Sequence, residues 1–142
     1  MNLKQVYKFM KEMDIVFIAT IERDQPKVRV MALIEHENQW WCCTMASRAK
    51  VEQLRDNPKF EFCNTVKYES NIGSIRAKGH AKIIDDLEIK LNVSKAIPFF
   101  KGYWDSHDDP QFVLIRLNVE IIVIQSPFDK KFYEYVVEEN KS

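Results

Sequence analysis

The 142-residue chain carries 21 lysines and arginines against 21 aspartates and glutamates, and 46% of it is hydrophobic. That length suits one domain, residues 1–142, able to bury its own core, and zero net charge argues against a general nucleic-acid binder, which usually carries a basic excess. No window approaches the roughly 20 apolar residues of a membrane span, the opening Met-Asn-Leu-Lys-Gln-Val-Tyr-Lys is polar and amphipathic rather than a secretion signal, and a cytoplasmic location is expected.

Leu3, Val6, Tyr7 and Met10 fall at i, i+3, i+4 and i+7, so the chain opens with an amphipathic helix. Ile15–Ile21 is a β-branched strand, Arg23–Pro26 a turn, Lys27–His36 a second strand, Glu37–Gln39 a turn, and Trp40–Cys43 a third strand, which together read as an antiparallel meander. Lys59–Val66 is a fourth strand; after a polar loop, Lys67–Asn71, Ile72–Ile84 is a long fifth one. Asp85-Asp86 caps a helix reaching about Val93, Ile97–Asp109 is a loop or short turns, Phe112–Gln125 is a central strand, and Phe128–Val137 is a further strand or helix. Six or seven strands with few helices predict a mostly β fold, an antiparallel barrel closed or nearly so. Gly73 and Gly79, inside the fifth strand, are candidates for the bulges or bends that let a sheet curl.

The segment Thr44–Pro58 carries the most chemistry. It predicts a strand that turns into a short helix, with Thr44 and Ser47 as candidate N-caps and Asn57-Pro58 as the stop. Arg48 and Lys50 fall in its first turn, where the helix dipole is already positive. Two cations and two hydroxyls beside free backbone N–H groups suit an anion such as phosphate; an exposed helix with ordinary surface charge is the alternative.

Three cysteines, Cys42, Cys43 and Cys63, leave one over from any pairing, and adjacent strand residues face opposite ways, so buried free thiols are expected. His36, His80 and His107 lack ligand spacing, and no metal site is expected. No nucleophilic triad, P-loop or dinucleotide fingerprint is present.

The order of these segments resembles the flavin-binding split-barrel superfamily typified by pyridoxamine 5′-phosphate oxidase, and most of all its small general stress protein 26-like and nitroimidazole-resistance-like members. The residues that carry the likeness are Phe17-Ile-Ala-Thr-Ile21, Val28-Arg-Val-Met31, Thr44-x-x-Ser47-Arg48-x-Lys50, Leu54-x-x-Asn57-Pro58 and Ile75-Arg-Ala-Lys-Gly-His-Ala81. The resemblance spans about residues 4 to 126. It implies a six- to seven-stranded antiparallel split β-barrel that binds FMN as a homodimer, each flavin site being completed by the partner.

On that resemblance Arg29 takes the phosphate-binding role on the second strand, with Thr44, Ser47, Arg48 and Lys50 at the strand–helix junction, Arg48 and Lys50 being alternatives for the closer contact. Val30, Met31 and Ala32 would run along the isoalloxazine edge. Arg29 also admits a solvent-facing reading, with Val28 and Val30 on one strand face and Arg29 and Met31 on the other. Phe99-Phe-Lys-Gly-Tyr-Trp104 is the segment to cover a flavin ring across the dimer, Trp104 included, or else to plug the barrel end or form plain dimer contacts. Ser74 stands where the oxidase has a flavin-contacting glutamine. Two further departures touch the vitamin B6 substrate: the position of a substrate-phosphate lysine falls on or near apolar Ile34, and the tail Phe132–Ser142 lacks the Arg-x-His motif. The resemblance therefore implies an FMN-dependent oxidoreductase of unknown small-molecule substrate, without a nameable catalytic side chain, rather than a true pyridoxamine phosphate oxidase. A haem-binding barrel using His36, His80 or His107, and a ligand-free dimeric binding module, are the alternatives.

Overall fold

A computed structural model describes residues 1–137; the end of the arginine- and histidine-free tail, residues 138–142, lies outside them. The order of elements is α1 (Leu3–Lys11), β1 (Ile15–Glu22), β2 (Gln25–Ala32), β3 (Ile34–His36), β4 (Gln39–Met45), α2 (Ala49–Asp56), β5 (Lys59–Tyr68), β6 (Asn71–Ile84), α3 (Leu87–Ser94), a 3₁₀ turn (Phe100–Gly102), β7 (Phe112–Gln125) and β8 (Phe132–Val136).

All pairings are antiparallel, and the strands follow the path β2-β1-β5-β6-β7-β4-β3, with β8 added to β7. β2 and β3, the two ends of that path, are consecutive in the chain and separated only by Leu33. The sheet thus curls until one stretch of backbone borders both of its ends, which makes a split barrel. This corrects the expectation of a single strand over Lys27–His36 and raises the strand count to eight. The strand has to change partners, from β1 to β4, and it breaks at Leu33, whose N–H donates to the Asp14 carbonyl at 3.1 Å. Phe112–Gln125 is the expected strand, bordered by β6 on one side and by β4 and β8 on the other.

Inward-facing residues alternate along the strands. Val16 and Ile18 of β1, Phe62 of β5, Ile75 and Ala77 of β6 and Ile122 and Ile124 of β7 fill the barrel, and Val6 and Met10 of α1 close one end. A second cluster lies on the outer face of β4 and β7, where Trp41, Phe112 and Leu114 meet Val93, Ile97, Phe100 and Trp104 from α3 and the turn after it. Asp86 caps α3 as expected, accepting from the N–H groups of Glu88 and Ile89. Cys42 is buried in the barrel, Cys43 is half-buried, and Cys63 is exposed, contrary to the expectation that all three thiols are buried. Cys63 sits opposite Arg76 on β6, where the strand's face turns to solvent.

Candidate functional site

The ends of β2 and β4, the start of α2 and the aromatic turn before β7 converge on a cavity of about 550 Å³. Arg29 reaches it from the inner face of β2. It lies opposite Ile18, and its side chain shares a face with the buried Met31, while Val28 and Val30 point outward. The solvent-facing reading therefore belongs to the valines.

Arg29 is held by two polar groups that are themselves buried. One terminal N–H donates to Thr20 Oγ1 at 2.8 Å and the other to Gln53 Oε1 at 2.8 Å. Thr20 in turn donates to Gln53 Oε1 at 3.2 Å, and the Gln53 amide donates to Glu22 at 3.3 Å. Both acceptors facing Arg29 are neutral, so its charge is oriented without being neutralised. Neither Thr20 nor Gln53 was singled out from the sequence. The available signal was a glutamine three residues after Lys50, within the Val51–Leu54 apolar stripe of α2.

Arg48 and Lys50 line the same cavity as Arg29, and among the described residues no carboxylate does. None of the ion pairs among the described residues involves these three cations. Burial lowers the Lys50 pKa; the Cys42 thiol opposes that shift, while Arg29 and Arg48 add to it. Like charges are thus gathered here in a half-buried setting, an arrangement that an anion relieves.

The expected N-caps are corrected. Thr44 lies within β4 opposite Val113, and Arg48 occupies the N-cap position of α2 with no side-chain cap bond. The first N–H groups of α2 are therefore not taken by a capping hydroxyl.

Val30, Met31 and Ala32 supply one wall, Cys43, Thr44 and Met45 another, and Phe99, Tyr103 and Trp104 a third. Eight sequence-predicted residues, Arg29, Val30, Met31, Ala32, Thr44, Arg48, Lys50 and Trp104, thus border one space. Ser47 is exposed in the turn before α2 and does not line it. Ser74 sits on β6 between Thr65 and Gln125, away from the cavity of its own chain.

The aromatic segment divides its roles. Phe100 is buried against Phe112 in an edge-to-face contact, with ring centroids 5.0 Å apart, as a barrel-end plug would be. Phe99 and Tyr103 pack edge to face over the cavity of their own chain, and Tyr103 is 63% exposed. Trp104 is buried, and its Nε1–H has no partner among the described residues. Cys43 is a poor nucleophile here, because burial pushes its pKa up to about 12 against the opposing pull of Lys50. No histidine lines the cavity; His80 pairs with Glu120, and His36 with Glu37 at 3.8 Å.

A curled antiparallel split barrel defines the class of protein, and beside its seam lies a cationic cavity with no carboxylate among the described residues. The chain belongs to the pyridoxamine 5′-phosphate oxidase family, whose model matches residues 3–125. No curated protein sequence matches it. Among solved structures, it is similar to a NimC/NimA family protein from Clostridium acetobutylicum at 26% identity, with a TM-score of 0.74 over 94% of this chain and 93% of that one. A protein related to general stress protein 26, from the same organism, shares the fold at 19% identity, with a TM-score of 0.76 over 95% and 94% of the two chains. A haem-binding protein from Mycobacterium smegmatis shares it at 12% identity, with a TM-score of 0.74 over 90% of this chain and 55% of that one.

Proposed function

We propose that the cavity binds FMN and that the protein is a flavin-dependent oxidoreductase acting on a small molecule. The observation that carries this reading is the trio Arg29, Arg48 and Lys50 on a wall free of carboxylates. Arg29 and Lys50, with Arg48 and Thr44 beside them, would hold the phosphate, an arginine fork and a lysine point charge being complementary for that purpose. The Val30–Ala32 edge would take the ring system, with Tyr103 and Trp104 as an aromatic side and the unpartnered Trp104 N–H as a spare donor. The cavity's volume is within the range that takes ligands of this size.

Bound FMN supplies hydride or electron transfer, and the protein's part is binding, orientation and water exclusion. The apolar character at or near Ile34, where the resemblance places a substrate-phosphate lysine, argues against pyridoxamine phosphate as substrate. FMN titration of purified protein, followed by the flavin spectrum, should saturate at one FMN per chain; a colourless protein that takes up no FMN overturns the proposal. With no histidine on the cavity wall, hemin added in the same assay should give no histidine-dependent Soret band.

The partner is proposed to be a second copy of the chain. Val28 and Val30 are 72% and 58% exposed on the outer face of β2, and Ile15 and Phe17 continue that patch on β1. Such a patch marks an interaction surface, and Val30 joins it to the cavity. The double change Val28→Lys/Val30→Lys should convert dimers to monomers in light scattering and weaken FMN uptake. A fully dimeric variant would mean that the copies associate elsewhere.

A further inference from the structure

A second concavity lies where β7 changes partners. β4 pairs with β7 as far as Leu117 and β8 takes over at Ile121, so Asn118 and Val119 have no strand partner on that edge. Together with α1 and the start of β4 they border a groove of about 1260 Å³, larger than the cavity beside Arg29.

Among the described residues its charge is one-sided. Lys4, Lys8, Lys11, Lys82 and Arg116 line it, and among the described residues no carboxylate does, although the chain as a whole balances 21 cations with 21 anions. Two separate local costs accompany that arrangement. Lys4, Lys8 and Lys11 follow at i, i+4 and i+7 on α1, a spacing at which like charges repel along one helix face. Lys82 and Arg116 face each other across β6 and β7, where like charges directly opposite are destabilising.

Among the described residues the nearby compensation is slight. Lys11 reaches Glu35 at 3.8 Å, an exposed pair worth little. Arg116 lies over Trp41, its guanidinium carbon 4.9 Å from the ring centroid, and its Nε–H has no partner among the described residues. A helix face and a strand pair, each holding like charges at a cost, meet on one groove beside an open backbone edge.

We infer that this groove binds a small polyanion, a compound carrying a chain of phosphates, on Lys4, Lys8, Lys82 and Arg116. The site is separate from the Arg29 cavity, since the two share no lining residue. Inorganic tripolyphosphate and nucleoside triphosphates share the recognised chemistry, and Tyr7, at the groove next to Trp40, is the side chain that would contact a base.

The test is calorimetric titration of the full chain with inorganic tripolyphosphate at low salt, where surface electrostatics are least screened. Lys8→Glu/Lys82→Glu should weaken binding at least tenfold with far-UV circular dichroism and FMN uptake unchanged. Arg29→Ala/Lys50→Ala, which removes cations from the other cavity, should leave that binding in place. Lys4→Gln/Lys11→Gln, at exposed positions, gives an independent second variant and should weaken it severalfold. ATP binding tighter than tripolyphosphate identifies a nucleotide, and equal affinities identify the phosphate chain alone; both agree with the inference. It is overturned if tripolyphosphate does not bind, if the groove variants bind as the parent does, or if only the Arg29→Ala/Lys50→Ala variant loses binding.

Discussion

Gly79→Ala should destabilise the protein by roughly 4 kcal/mol or more, a large share of the roughly 5–15 kcal/mol that holds an ordinary domain folded. Gly79 sits at the register shift between β6 and β7, where Lys78 pairs with Ile121 and Gly79 with Val119, leaving Glu120 as the extra residue of a bulge. A Cβ there would lie 1.8 Å from the Asn118 carbonyl oxygen, 2.9 Å from its carbon and 3.2 Å from the Glu120 nitrogen. All three atoms are backbone, so no side chain can swing away to make room. The glycine is needed for space and not for its dihedral angles, since no glycine has positive φ. Urea unfolding checks the value, and Gly102→Ala is the control: nothing lies within 4 Å of a Cβ at Gly102, and its change should stay within about 0.5 kcal/mol. A Gly79→Ala protein as stable as the parent would mean that β6 and β7 do not approach this closely.

Arg29→Ala should weaken FMN binding by roughly 1.5–3 kcal/mol, the scale of hydrogen bonds to charged groups, and leave riboflavin affinity nearly unchanged. Riboflavin lacks the phosphate, so the difference between the two ligands isolates the proposed contact from any general damage. Arg29→Lys should recover only part of the loss, because the two-pronged attachment to Thr20 and Gln53 uses the planar guanidinium fork. Gln53→Leu removes one prong without removing the charge, and a loss specific to FMN in that variant would mark Gln53 as a positioning residue. Equal losses for FMN and riboflavin in Arg29→Ala would rule out a phosphate role for Arg29.

How much of this was legible in the sequence differs by element. Ile15–Ile21 and Phe112–Gln125 are readable as continuous apolar, β-branched runs, and Ile72–Ile84 by its rough alternation. The break at Leu33 was not, because a strand that changes partners keeps its β-type residues throughout. The two-residue turn Glu69–Ser70 looked like a longer loop because Lys67, Tyr68 and Asn71 are polar or exposed although they pair in β5 and β6. Hydroxyl residues before α2 resembled caps, yet Thr44 was still committed to β4 when the helix began five residues later. Within the cavity, Arg48 and Lys50 stand out because cations at a helix N-terminus are in an odd place, whereas Arg29 comes only from the family resemblance. Thr20 and Gln53 escaped because a neutral polar residue in an apolar stripe says only that something must satisfy it, not what. Phe99–Trp104 read as one aromatic cluster, whereas the turn sends Phe100 into the outer core and Phe99 and Tyr103 over the cavity.

The strand that breaks at Leu33 has a thermodynamic consequence. Val30, Met31 and Ala32 line the cavity immediately before the break, on the stretch of backbone that borders both ends of the sheet. A compound that grips this edge would engage the seam of the barrel, so its binding would be linked to folding. Whatever fills the cavity at a hundred times its dissociation constant would add about 2.7 kcal/mol to global stability. If the proposed ligand binds there, the seam would act as a latch, and a resistance to unfolding that grows with ligand concentration would be the sign of its being fastened.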